Sequence, residues 1–311
     1  MNKKIQSVIV FLLVVASFLG GVTVAKLKYG SDEKINSQKA EPTTTANQST
    51  APVFVPKVKT AKPEIKFFVM SFCPYGNQAE VGIEPVYQLL KDKVTWTPRY
   101  IISKITQDTV TQCKNSCPQR VANDEAKKKC QEAIDAGQLT GTDAETCVKQ
   151  YFPYQTADEC IETNCNTLTI GSLESLHGQQ ELNQDIREIC AYNLGDLGKW
   201  WKFVSLVNEK CNSNDADTCW EQQAADAGLD VNKVSSCEKS QKILLADKEI
   251  AEAEKYQASG SPTVLINDTS YNGGRSPEDY KKAICSAFKN PPKECNQILG
   301  QETNAATGGC E

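Results

Sequence analysis

Closely paired thiols are missing from this chain of 311 residues. It has fourteen cysteines but no C-x-x-C, and a single histidine, His177. Structural zinc is normally gripped by paired C-x-x-C or Cys/His knuckles, so these two absences favour disulfides over metal, and no cofactor is expected. A basic field is lacking too. The net charge is −5 and the pI about 5.3, and no Lys/Arg-rich stripe runs along the chain, which excludes the electrostatic footprint of a nucleic-acid binder.

What is present in excess is cysteine. Thirteen of the fourteen lie between Cys113 and Cys310 at irregular spacings. A reducing cytosol would leave so many thiols reactive, so the pattern predicts a disulfide framework in an oxidising compartment. The N-terminus agrees with export. Lys3 and Lys4 precede an apolar run from Ile5 to Ala25 that Lys26 and Lys28 close, and about 20 residues suffice to cross a bilayer. Positive charge ahead of the run keeps the start inside and the remainder outside. Residues 1–30 are therefore expected to be a transmembrane anchor. The alternative is a cleaved signal and secretion, since Thr23-Val24-Ala25 has the small residues of a cleavage site.

Residues 31–63 are rich in Thr, Ser, Pro, Ala and Lys and read as a disordered tether. A folded domain is expected over 64–296 and a flexible tail over 297–311. The domain opens on a β-prone run, Ile65 to Phe72, followed by Cys73-Pro74, an amphipathic helix from Asn77 to Leu90, and a second strand from Val94 to Ile102. Strand, helix, strand at that length is a βαβ unit with parallel strands. The grammar then breaks: 103–238 reads as a helical, cysteine-rich insertion, whose first part holds six cysteines and too few large apolar residues to make a core unaided. Their spacing selects no connectivity. Cys211 and Cys219, flanking a short polar loop between helices, are a candidate pair. A helix from Glu238 to Gln257, the strand Thr263 to Ile266 and a last helix from Pro277 to Phe288 restore the α/β pattern.

Cys73 ends an apolar strand and precedes a helix that opens on Pro74, which suits the first helical position. Unpaired amides and the positive end of the helix dipole favour a thiolate there, so Cys73 is the candidate nucleophile; a small buried hydrophobe is the alternative. Pro74, Tyr75 and Gly76 complete its turn. Ser261-Pro262 stands just before a buried strand, where proline is tolerated only at the start or in a special conformation; it is the loop expected to face the sulfur. Trp200 and Trp201 read as packing residues.

With these elements the chain resembles the thioredoxin superfamily carrying a DsbA-like helical insertion, and more closely the gamma-interferon-inducible lysosomal thiol reductases. That family's signature is Cys-Gln-His-Gly, two spacers, Glu-Cys, two spacers, Asn, four spacers, Cys. Ser175-Leu176-His177-Gly178 runs on to Glu181-Leu182, Asp185 and Cys190 at the same spacing; His177, Gly178, Glu181 and Cys190 match, and the other four positions do not. The resemblance also implies a closing disulfide, Cys285 with Cys295, and an α/β, thioredoxin-like fold that exchanges disulfides in exported proteins or with small thiols. His177 is read as fixing a helix start. The family has C-x-x-C where this chain has Cys73-Pro74-Tyr75-Gly76, so a single nucleophilic sulfur, an isomerase-like activity and recovery of dithiol turnover by Gly76→Cys are expected. Cys310 is either an inert tail residue or the second thiol. The rival reading is a non-catalytic, disulfide-rich binding module.

Overall fold

A computed structural model describes residues 54–300. Strand β1, Glu64–Val69, is buried along nearly its whole length, as befits a run from Ile65 to Val69 that is apolar except for Lys66, which pairs with Glu64 and Asp268, between neighbours on both sides. It leads through a turn into helix α1, Pro74–Leu90, which buries Ala79, Ile83, Val86 and Leu90, and then into β2, Thr95–Tyr100. β1 and β2 pair in parallel from Glu64 opposite Thr95 to Val69 opposite Tyr100. Pro98 is accommodated because β2 is an edge strand. The first strand is shorter than its apolar run: it stops at Val69, since the amides of Ser71 and Phe72 bond to side chains of a distant helix and leave the ladder.

The inserted segment follows. β3, Ser103–Lys104, begins a stretch holding α2, Gln107–Ser116; α3, Asp124–Asp135; α4, Ala144–Tyr151; and α5, Ala157–Cys160; it closes on β4, Leu173–Glu174, antiparallel to β3. Its six cysteines pair as Cys113–Cys165, Cys117–Cys160 and Cys130–Cys147. The half-cystines are themselves much of what is buried there, so the covalent links stand in for a core. A second helical layer comprises α6, Gln179–Asn193; α7, Leu197–Lys210; α8, Ala216–Asp226; and α9, Val231–Tyr256. Helix α9 begins at Val231 and not at Glu238, because Asp230 caps it by accepting from the Lys233 amide.

The chain then returns to the sheet with β5, Thr263–Ile266, antiparallel to β1, then β6, Thr269–Tyr271, and finally α10, Pro277–Ser286. The sheet order is β2-β1-β5-β6. A parallel βαβ unit joined to an antiparallel ββα unit in that order, with a proline at the mouth of β5, is the thioredoxin-like fold, here with a large disulfide-rich helical insertion. Trp200 and Trp201 of α7 are fully buried and contact each other and Phe67 of β1, which docks the helical layer on the sheet.

Residues 54–63, the end of the expected tether, lie against the domain. Thr60 bridges in parallel to Phe288, the Lys57 amide donates to Thr269 Oγ1, and Phe54 meets Tyr271 edge-on. The remaining tether residues and the expected anchor lie outside the described residues, as do 301–311. Among the described residues no helix is long and apolar enough to cross a membrane.

Cys190 of α6 is bonded to Cys237 of α9, 47 residues on. Removing both sulfurs as Cys190→Ala/Cys237→Ala is expected to cost about 2–5 kcal/mol in urea denaturation, as loss of a native disulfide across a long loop generally does; a change within error would mean that packing alone holds the two helices. Cys211 is bonded to Cys219 and Cys285 to Cys295. So many disulfides place the folded domain in an oxidising, extracytoplasmic compartment.

Candidate active site

Cys73 occupies the N-cap of α1, one residue before Pro74. Its amide donates to the Met70 carbonyl and its own carbonyl accepts from the Asn77 amide, so the turn before the helix is closed by the backbone. The sulfur is buried and lies 3.5 Å from the Ser261 carbonyl oxygen. Ser261-Pro262 is a cis peptide, and Ser261 Oγ accepts from the Met70 amide at 3.2 Å. The two sequence-distant elements, the Cys-Pro helix start and the Ser-Pro strand start, therefore meet at one point.

The second side of the turn is held by α6. Asp185 Oδ1 accepts from both the amide and the hydroxyl of Ser71, at 2.9 and 2.7 Å. Glu181 Oε1 accepts from the Phe72 amide at 3.0 Å and pairs with His177 Nδ1 at 2.7 Å, while Glu181 Oε2 accepts from the His177 amide at 2.7 Å. Ser175 Oγ lies 2.9 Å from Glu181 Oε2 and 3.0 Å from Asp185 Oδ2. Gly178 caps this helix at φ 100°, in the left-handed region that favours glycine. The motif residues His177, Gly178 and Glu181 thus converge, with Ser175 and Asp185, on the two residues that precede Cys73. Cys190 stands apart, in its disulfide to Cys237.

Further along α6, Glu188 accepts from Tyr100 Oη at 2.8 Å and from Gln184 Nε2 at 2.9 Å, and Glu80 of α1 accepts from Asn208 Nδ2. Burial pushes the carboxyl of Glu188 up to about 7. Burial, then the charge of Glu181, raises Asp185 well above the ordinary carboxylate range; burial, then Glu188, does the same to Glu80. Glu80 belongs to α1, whereas Glu181, Asp185 and Glu188 share one side of a helix that is buried almost throughout. Their spacing, Glu181, Asp185 and Glu188 at i, i+4 and i+7 within an apolar stripe, was the available sequence signal; charge at those positions ordinarily marks a solvated face.

Tyr75 and Gly76 complete the site. The Arg275 guanidinium stacks over the Tyr75 ring at 5.1 Å and donates to Gln78, joining the start of α10 to the first turn of α1. A Cβ at position 76 would come within 2.5 Å of Ser261 Oγ, so the serine hydroxyl occupies the space a second cysteine would need. Cys73 is disulfide-bonded, and none of the other described cysteines is its partner. Cys310 lies outside the described residues. The other twelve described cysteines pair with one another.

Residues 144–285 match the vacuolar sorting receptor thioredoxin-like domain. Similar curated proteins include vacuolar-sorting receptor 6 of Arabidopsis thaliana, 23% identical over 43% of this chain and 24% of the receptor, and vacuolar-sorting receptor 1 of Pisum sativum, 24% identical over 43% and 24%. The matched stretch thus spans about a quarter of those relatives' length, and the family match begins well past Cys73. Among solved structures, DsbA from Mycobacterium tuberculosis in its reduced form is similar over 79% of this chain and 93% of its own, at 15% identity and a TM-score of 0.41. A probable DsbA oxidoreductase from Streptomyces coelicolor is similar over 80% and 99%, at 13% identity and 0.41. At those scores the fold assignment rests on the strand order and connectivity above.

Proposed function

We propose that the protein is an extracytoplasmic thiol-disulfide oxidoreductase that acts through Cys73, with disulfide-containing exported proteins or small thiol adducts as substrates. The observation that carries this reading is the meeting of a helix-capping cysteine with a cis-Ser-Pro loop at the sulfur. It is supported by the motif shared with gamma-interferon-inducible lysosomal thiol reductases, four residues of which lie on α6 and the turn before it. The helix N-terminus stabilises a Cys73 thiolate on reduction.

The sequence offers one partner for the redox couple. Thirteen cysteines are described, all of them in disulfides, and Cys310 is the fourteenth; we assign it as the thiol paired with Cys73. The last described residues bond to α10, whose start lies next to the first turn of α1. The Gly300 carbonyl accepts from the Glu278 amide, and Glu278 is three residues from Arg275, which touches Tyr75 and Gln78. Ten further residues reach about 33 Å when extended. In the reducing direction the Cys73 thiolate attacks a substrate disulfide, one substrate sulfur leaves as thiolate, and the mixed disulfide forms. The Cys310 thiolate then attacks Cys73 Sγ, the second substrate sulfur leaves, and the Cys73–Cys310 disulfide is restored. Both electrons passed to the substrate come from the dithiol.

The likeness to vacuolar-sorting receptors favours a second reading, a binding module in which the scaffold serves recognition. Multiple-turnover reduction of a disulfide substrate with a small-thiol donor separates the two. Activity is expected in the natural protein, abolished by Cys73→Ser and reduced to a single-turnover adduct by Cys310→Ser. A natural protein with no turnover, whose Cys73 alkylates no faster than a buried thiol after mild reduction, would leave the binding reading standing.

A further inference from the structure

Ser175 Oγ carries one hydrogen and faces two carboxyl oxygens, Glu181 Oε2 and Asp185 Oδ2, at 2.9 and 3.0 Å in a buried setting. One hydrogen cannot serve both. If both acids were ionised, an anionic oxygen would be left facing a hydroxyl lone pair, away from water, and a buried acceptor without a donor is costly. The other contacts decide which acid carries a proton. Glu181 already accepts from the Phe72 amide at Oε1 and from the His177 amide at Oε2, so both of its oxygens are served as acceptors. Asp185 accepts only at Oδ1, from Ser71, and its Oδ2 has Ser175 alone.

We propose that Asp185 is a neutral carboxylic acid whose Oδ2–H donates to Ser175 Oγ, that Ser175 Oγ–H donates to a Glu181 anion, and that Asp185 in this form is a positioning residue for the turn before Cys73. The chain of hydrogen bonds runs from the Ser71 turn through Asp185, Ser175 and Glu181 to His177, whose side chain is 16% exposed, giving the buried turn a proton path to the surface. The titratable groups that act on Asp185 are Glu181 and Glu188 on its own helix, and Tyr100 of β2 in turn feels the charge of Asp185. None of these groups supplies positive charge, so a second anion beside Glu181 would be poorly compensated. Burial and the neighbouring Glu181 charge push the Asp185 carboxyl up in the same sense. For exchange chemistry, loss of that proton would set an extra negative charge near the Cys73 thiolate and disfavour it. This last step rests on the oxidoreductase reading; the protonation itself does not.

Asp185→Asn tests the proposal because the amide keeps the Ser71 acceptor and places an N–H where the acid O–H was. Infrared difference spectra of natural protein against this variant at neutral pH are expected to show a protonated-carboxyl C=O band only in the natural protein, and the melting temperature of the variant is expected to match the natural one. Glu181→Gln, which removes a true anion, is expected to lower the melting temperature. After mild reduction, the alkylation rate of Cys73 in the natural protein, corrected for bulk thiolate formation, is expected to fall about tenfold as Asp185 ionises, the effect of a one-unit rise in thiol pKa, and this step is expected to be absent from Asp185→Asn. No carboxyl difference band, or an Asp185→Asn variant as destabilised as Glu181→Gln, would overturn the protonation. A band that behaves as stated beside an unreactive Cys73 would sink the exchange reading and leave the protonation in place.

Discussion

Gly76→Cys, which would rebuild a C-x-x-C, is expected to lower stability by roughly 1–3 kcal/mol, the range for overpacking a tight site, and to give no gain in reductase turnover. The reason is Ser261. A Cβ at position 76 lies 2.5 Å from its Oγ, with the Met70 carbonyl oxygen and Val69 Cβ each at 3.4 Å. The hydroxyl can rotate away, but only by abandoning its hydrogen bond from the Met70 amide. Stranding a buried amide costs about 1–3 kcal/mol. The clean test uses a Cys310→Ser background, in which the assigned second thiol is gone. There, Gly76→Cys alone is expected to stay inactive in multiple turnover, whereas Gly76→Cys with Ser261→Ala is expected to recover it, at reduced stability. Equal recovery by the single change would show that Ser261 yields freely. No recovery by the double change would show that a thiol at 76 does not reach the Cys73 mixed disulfide.

The same pair of residues shows where sequence reading was sufficient and where it ran out. Cys73-Pro74 and Ser261-Pro262 are legible because strand-then-proline signals are local, and each has a backbone cause. That Ser261 fills the space above Gly76 is a tertiary fact between residues 185 positions apart, and nothing in either neighbourhood announces it. The brace from α6 was half legible. The motif marked His177, Gly178 and Glu181, but set Ser175 and Asp185 aside as mismatches, although they complete the hydrogen-bond chain to Ser71. A motif read as identities passes over a position whose side chain nonetheless bonds to the site. The boundaries of the fold went the same way: the end of the expected tether docks on the domain through Thr60 and Phe54, because a short segment with few apolar residues can still add backbone bonds to a surface already formed.

Stability is expected to fall as pH rises from about 4.5 through 7, the reverse of ordinary acid denaturation. The cause is the buried acid row. Glu188 titrates at about 7 in the folded protein against a reference of 4.5, chiefly because burial penalises its charged form. Between those values the folded state holds a proton that the unfolded state has released, so unfolding sheds protons and is favoured by higher pH. A shift of about 2.5 units corresponds to roughly 3 kcal/mol, and Asp185 and Glu80 act with the same sign. Carboxylates shifted the other way act only at lower pH: Asp268, lowered first by its hydrogen bond from Lys66, contributes stability that is lost as pH falls below about 4. The stability maximum is therefore expected near pH 4.5–5. Urea denaturation at pH 5 and pH 8 should give a natural protein weaker by roughly 2–3 kcal/mol at the higher pH. Glu188→Gln keeps an acceptor for Gln184 Nε2 and cannot ionise, so it is expected to match the natural protein at pH 5 and to exceed it at pH 8. A natural protein whose stability rises between those two pH values would show that the acids are ionised in the fold and that the helix carrying them is held against their mutual repulsion by other means.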